Sequence, residues 1–117
     1  MDHRPGLGRS GEDAAATHYE RLGCSVIERN FRTRAGEIDL VVRDGGTVIF
    51  CEVKTRASDR WGLPMEAVTP RKQARLRRLA GEWLSARRPG RVQVRFDVVS
   101  VIVADSEMEV THLPDAF

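Results

Sequence analysis

Cysteine is scarce in this chain, with two among 117 residues, Cys24 and Cys51. Both fall in apolar stretches and read as small buried hydrophobes, and two thiols exclude a disulfide framework. A reducing compartment, and with it a cytoplasmic location, is the expectation. Long apolar runs are also missing. None approaches the roughly 20 residues of a membrane span. The first eight residues hold no apolar core, so no signal peptide is expected. Histidine is limited to His3, His18 and His112, scattered and without Cys or His partners at metal spacing, so no zinc site is implied. Thr55 and Ser58 lack a base partner, which leaves nucleophilic serine chemistry unsupported. Internal repeats and low-complexity tracts are absent.

What remains is ordinary for one globular domain: 41% hydrophobic and 31% charged residues. Residues 10–117 are expected to form that domain, after a flexible segment over 1–9. The net charge is only +2, but it is unevenly spread. Between Arg71 and Arg91 eight basic residues stand against a single acid, Glu82, so the rest of the chain is net acidic. Such asymmetry points to an anionic partner on one face.

Ser10 is a candidate N-cap, with Asp13 three residues on. The helix it opens reaches Leu22 and stops at Gly23, with Ala15, Tyr19 and Leu22 facing inward. Glu12 lies three residues before Ala15 and shares that face. Residues 24–31 read as a strand and 32–36 as a loop. Two apolar strands, 37–43 and 47–55, flank Asp44-Gly45-Gly46, a hairpin signal. The segment 57–68, with Trp61, is a loop. Thr69 and Pro70 suit the N-cap and first turn of a second helix running to Arg87. Its apolar stripe is Leu76, Leu79, Ala80, Trp83 and Leu84, which leaves Arg71, Lys72, Arg75 and Arg78 away from the core. A strand over 92–103 and an edge strand over 108–113 follow. The order is α-β-β-β-α-β with a further terminal strand, an α/β fold whose small mixed sheet is flanked by helices.

The hairpin carries the chemistry. A two-residue turn on Gly45-Gly46 sets Leu40 opposite Cys51, Val42 opposite Ile49 and Ile38 opposite Val53 on one face. On the other it sets Asp39 opposite Glu52 and Glu37 opposite Lys54. Facing residues have Cβ atoms about 4.5–5.5 Å apart, where like charges repel. A bound divalent cation resolves that repulsion. Phosphodiester hydrolysis needs charge neutralisation and an activated water, which Mg²⁺ or Mn²⁺ held by carboxylates supplies. Asp39 and Glu52 would hold the cation, with the Val53 backbone carbonyl as a further oxygen and Glu12 reaching in from the helix, directly or through water. Lys54 shares the side of Glu52 and could orient water or steady the charged transition state. Glu37 reads as structural or as a partner of Lys54.

Asp39 followed by Glu52-Val53-Lys54 after a hairpin resembles the PD-(D/E)XK nuclease superfamily. The element order is similar to that superfamily's restriction-endonuclease-like core, and Glu12 is similar to the first-helix acid of Holliday-junction resolvases. The fuller pattern resembles the YraN-like proteins, a bacterial family without an assigned function. It consists of Gly11-Glu12, Arg29-Asn30, residues 36–40, residues 50–56 and Arg95-Phe96-Asp97, and it spans roughly residues 10–113. Ile38 stands where the superfamily name has Pro, and the helical Gln-Tyr pattern is half matched, by Gln73 with Arg77 four positions on.

The resemblance implies a nuclease-like fold and a nucleic-acid link. The leading expectation is a Mg²⁺- or Mn²⁺-dependent endonuclease acting on DNA, on branched or damaged intermediates. Catalytic roles fall to Glu12, Asp39, Glu52 and Lys54, and phosphate contacts to Arg56, Arg71, Lys72, Arg75 and Gln73. The alternative is a nucleic-acid-binding module of the same fold with little or no catalysis. A third reading is a protein adaptor using the Trp61 loop. Junction resolvases work as symmetric pairs, so a homodimer is compatible with the resemblance. The bland reading of Glu-x-Lys alone is an exposed strand with a cross-strand ion pair. The bland reading of Arg95 and Asp97 is a mutual pair.

Overall fold

Seven elements follow one another in a computed structural model that describes residues 5–57, 68–104 and 107–117, with side chains from Arg9 onward. They are α1 (Pro5–Arg21), β1 (Ser25–Thr33), β2 (Gly36–Asp44), β3 (Thr47–Arg56), α2 (Pro70–Arg87), β4 (Gln93–Ala104) and β5 (Glu107–Leu113). This is the expected order, on one five-stranded sheet arranged β1-β2-β3-β4-β5. Neighbours are antiparallel except β3 and β4, which run parallel. A parallel pair needs a crossover, and α2 supplies it. The result is a mixed α/β fold in the arrangement expected for a restriction-endonuclease-like core. The Trp61 loop, His3 and Ser58 lie outside the described residues.

Alternation along the central strands builds two cores, one on each face of the sheet. Leu40, Val42, Ile49, Cys51, Val99 and Val101 pack with Ala15 and Tyr19 of α1. Val41, Val48, Phe50 and Phe96 pack with Leu76, Leu79, Ala80 and Trp83 of α2. Each fully buried aliphatic or aromatic side chain here contributes about 1.5–3 kcal/mol. Helix α2 starts as expected: the Thr69 side chain accepts from the Lys72 N–H, and Pro70 follows it. Such a cap contributes about 1 kcal/mol.

Several local expectations are corrected. Helix α1 begins at Pro5, so Ser10 lies inside it and is not its cap, and Asp13 pairs with Arg29 instead. Leu22 is 58% exposed and not part of the inward stripe, because the helix has already ended at Arg21. Residues 32–36 are no loop, since β1 runs to Thr33 and β2 starts at Gly36, leaving a tight turn. The histidines are not all scattered. His18 of α1 meets His112 of β5, with His18 Nε2 3.0 Å from His112 Nδ1.

Candidate metal and nucleic-acid site

The hairpin register holds where the strands are apolar and breaks where they become acidic. Leu40 faces Cys51 and Val42 faces Ile49, as expected. The ladder then stops at Leu40–Cys51, so Asp39–Glu52, Ile38–Val53 and Glu37–Lys54 are not strand pairs. Ile38 also changes sides. It packs with Val41 in the α2-side core, where strict alternation would place it with Leu40 and Val42. Asn30 takes a left-handed backbone (φ 55°) between the pairs Arg29–Leu40 and Phe31–Ile38, directly across from Asp39. Pairing with β1 keeps one register on both sides of this point, while on the other edge of β2 a seam opens toward β3 beyond Leu40.

Asp39 fills that seam. Its Oδ2 accepts from the Val53 N–H at 2.7 Å, replacing the missing ladder bond. Two hollows meet at it. One, of about 520 Å³ on the α1 side, is lined by residues that include Glu12, Asn30, Glu37 and Asp39. The other, of about 230 Å³ on the α2 side, is lined by Glu37, Asp39, Glu52, Lys72, Arg75 and Leu76. One carboxylate oxygen each from Glu12, Glu37 and Asp39 lies within 4.8 Å of the other two. Burial, then the charge of Glu52, push the Asp39 carboxyl up to about 8. The Val53 N–H pulls the other way, and Glu12 and Glu37 add to the rise.

Two close approaches seat the helices around these acids. Gly11 of α1 lies so tightly against Thr55 of β3 that a Cβ would collide with its hydroxyl, and this fixes the next residue, Glu12, over the sheet. Gly36, at φ 137°, lets the Arg75 stem lie where a Cβ would come within 3.1 Å of Arg75 Cδ, bringing α2 against the start of β2. The acids are held by polar partners. Asn30 Nδ2 donates to both Glu12 oxygens at 3.2 Å and to Glu37 Oε2 at 2.6 Å. Arg29 stands 3.7 Å from Glu12, and Arg32 donates to Glu37 Oε1 at 3.2 Å.

The structure therefore brings together Glu12, Asp39 and Glu37, while Glu52 stands outside that group on the α2 side. Lys54 is partly buried beside Lys72, and burial followed by that neighbouring charge lowers its pKa. Lys72 and Arg75 reach the α2-side hollow, whereas Arg71 is exposed on the first turn of α2. Arg56 ends β3, partly buried. Gln73 turns away from the acids, donating to the Val68 carbonyl at 3.2 Å to close the entry into α2. Sequence reasoning missed the roles of Asn30 and Glu37. Glu37 could have been found by its spacing, two residues from Asp39 and so on the same side of the strand. Asn30 carried only a weak signal, a turn-favouring residue inside a strand.

The donor set is carboxylate oxygen alone, which suits hard cations such as Mg²⁺ or Mn²⁺ rather than zinc. No described helix is long and apolar enough to cross a membrane.

Comparison with known proteins gives the chain its relatives. The profile of the family described as "Uncharacterised protein family UPF0102" matches residues 11–101. A UPF0102 protein of Frankia casuarinae is 47% identical over 118 residues, covering 100% of both chains. One from Geobacter metallireducens is 44% identical, covering 98% of this chain and 94% of its own. One from Acidothermus cellulolyticus is 49% identical, covering 85% of this chain and 83% of its own. Among solved structures, that of Pyrococcus furiosus SfsA in complex with Ca²⁺ is similar over 92% of this chain and 63% of that one. The identity is 14% and the TM-score 0.41, too slight a likeness to carry an argument.

Proposed function

The chain belongs to the UPF0102 family, and from that premise we propose that it is a Mg²⁺- or Mn²⁺-dependent endonuclease acting on DNA, on branched or damaged intermediates. The observation that carries the reading is the convergence of Glu12, Glu37 and Asp39 from a helix and a strand, next to the cationic Lys72 and Arg75. A cluster of three acids would repel itself, and a divalent cation between them would relieve that repulsion.

Asp39, Glu12 and Glu37 would hold the cation. Val53 would add its carbonyl, because within a strand a residue's N–H and C=O point to the same side, and its N–H points at Asp39. When bound, the cation would neutralise charge on the phosphodiester and lower the pKa of an attacking water. Glu52 lines the α2-side hollow and would accept a hydrogen bond from that water, while Lys54, on the same side of β3, would donate toward the phosphate. Lys72, Arg75, Arg71 and Arg56 would grip flanking phosphates. Gln73 drops from this set because it is engaged by Val68.

A second reading, a nucleic-acid-binding module with little or no catalysis, is favoured by one observation: Glu52 adds no oxygen to the group that Glu12, Glu37 and Asp39 form within 4.8 Å. One experiment separates the two. Purified protein is incubated with Mg²⁺ or Mn²⁺ and linear, nicked, flapped and four-way DNA, alongside Asp39→Ala and Glu52→Ala. Cleavage by the parent alone supports the enzyme. Equal cleavage by all three preparations would mark a contaminant and sink it. No cleavage with retained, salt-sensitive binding selects the module.

A further inference from the structure

We infer that Asn30 is a positioning residue whose amide holds Glu12 and Glu37 together beside Asp39, setting the acid cluster before any cation arrives. The inference rests on the metal-site reading of that cluster. Its first support is the bridge itself. One amide nitrogen reaches both oxygens of Glu12 at 3.2 Å and Glu37 at 2.6 Å, joining an acid of α1 to an acid of β2. Arg29 and Arg32 do not do this. The short contact of Arg29 is to Asp13, at 2.7 Å, and Arg32 binds Glu37 alone among the acids of the cluster.

The backbone is the second, independent support. Asn30 sits at φ 55° in the middle of β1, with strand pairing intact on both sides. Left-handed backbone is uncommon outside glycine, and asparagine is among the few side chains that tolerate it. A side chain was needed there, since glycine would have satisfied the backbone more easily. Asn meets both demands, adopting the left-handed backbone directly across from Asp39 and presenting two N–H groups to the acids. It does so without adding a charge that would have to be displaced. Partners standing behind metal ligands in this way typically set affinity by ten- to a hundredfold.

The test is Mn²⁺ binding, counted as the loss of the free-ion electron paramagnetic resonance signal, on the parent, Asn30→Gly and Asp39→Ala. Glycine keeps the left-handed backbone and removes only the amide. The expected result is binding to the parent, none to Asp39→Ala, and at least about tenfold weaker binding to Asn30→Gly, which still melts cooperatively without metal. Equal or tighter binding in Asn30→Gly would overturn the positioning role while leaving the metal site standing. An Asn30→Gly variant that does not fold would also overturn it, since the side chain would then hold the strand rather than the acids. No binding to the parent would remove the metal reading itself and the inference with it.

Discussion

Two aspartates of one sheet are treated in opposite ways. Asp97 of β4 is wholly buried and surrounded by donors. Arg95 grips it with two bonds of 2.8 Å, Tyr19 reaches it at 2.7 Å, His112 at 2.8 Å and the Asp115 N–H at 2.9 Å. Burial pushes its pKa up, but Arg95, His112, the Asp115 N–H and Tyr19 more than offset that, and the carboxyl ends below its usual range. Asp39 accepts from one backbone donor, the Val53 N–H, and burial together with the charges of Glu52, Glu12 and Glu37 pushes its carboxyl up. A carboxylate that the fold completes by itself is a structural node, here tying α1, β4, β5 and the C-terminal residues together. A carboxylate that the fold crowds with other carboxylates is one awaiting a partner, and such perturbed groups mark candidate functional sites.

The largest expected effect sharpens this contrast directly. Asp97→Ala strands Arg95 and removes the acceptor of Tyr19 and His112, and should destabilise by about 3–5 kcal/mol in urea denaturation. Asp39→Asn keeps an acceptor for the Val53 N–H and removes the cost of taking up a proton on folding at neutral pH. In metal-free protein at pH 7 it should stabilise by roughly 1–3 kcal/mol, less than the full shift at about 1.4 kcal/mol per unit would give. If both substitutions destabilise alike, the contrast is broken.

The same pair predicts a pH signature. Folded protein keeps the Asp39 proton up to about pH 8, while the unfolded chain, with an ordinary aspartate, loses it near 4. Stability of the metal-free parent relative to Asp39→Asn should therefore decline as pH rises across that window. Asp97 works with the other sign: its stabilisation is present above the ordinary carboxylate range and is lost as acid titrates its lowered pKa. His18 adds to that acid sensitivity. Burial, then His112 and Arg21, lower its pKa, so stability is lost as pH falls below the ordinary histidine value. Urea midpoints measured from about pH 2 to 9 would check both limbs.

Smaller effects probe how Glu12 is held. Gly11→Ala drives a methyl into Thr55 and should cost about 1–2 kcal/mol through overpacking, although alanine is the better helix former. Its Mn²⁺-induced melting shift should shrink as Glu12 moves. Smallest of all, Arg71→Ala should change stability by less than about 0.5 kcal/mol and reduce the slope of log affinity for DNA against log salt by about 1. An unchanged slope would take Arg71 out of the interface.

Much of this was legible in the chain. Strand and helix identities followed from periodicity and caps: Thr69-Pro70 opens α2, and the apolar halves of β2 and β3 pair as their alternation demands. Asp39 and Glu52 could be singled out, because carboxylates on apolar strands stand out. The geometry among them could not. The register argument ran on through Asp39–Glu52 to Glu37–Lys54, whereas the ladder ends at Leu40–Cys51 and Asp39 bonds the Val53 N–H with its side chain instead. The Asp97 node was read only as a pair with Arg95, since Tyr19 and His112 are distant in sequence.

Sequence by itself determined the family, the order of elements and most of the two faces of the sheet. Each of these depends on local periodicity or on a short motif. Only the tertiary structure decided that Glu37 joins Glu12 and Asp39 in one close group without Glu52, and that buried Asp97 collects donors while half-buried Asp39 is crowded by acids. Those outcomes depend on which donors arrive from other strands and helices, and a carboxylate's role is set by its neighbours in space rather than in the chain.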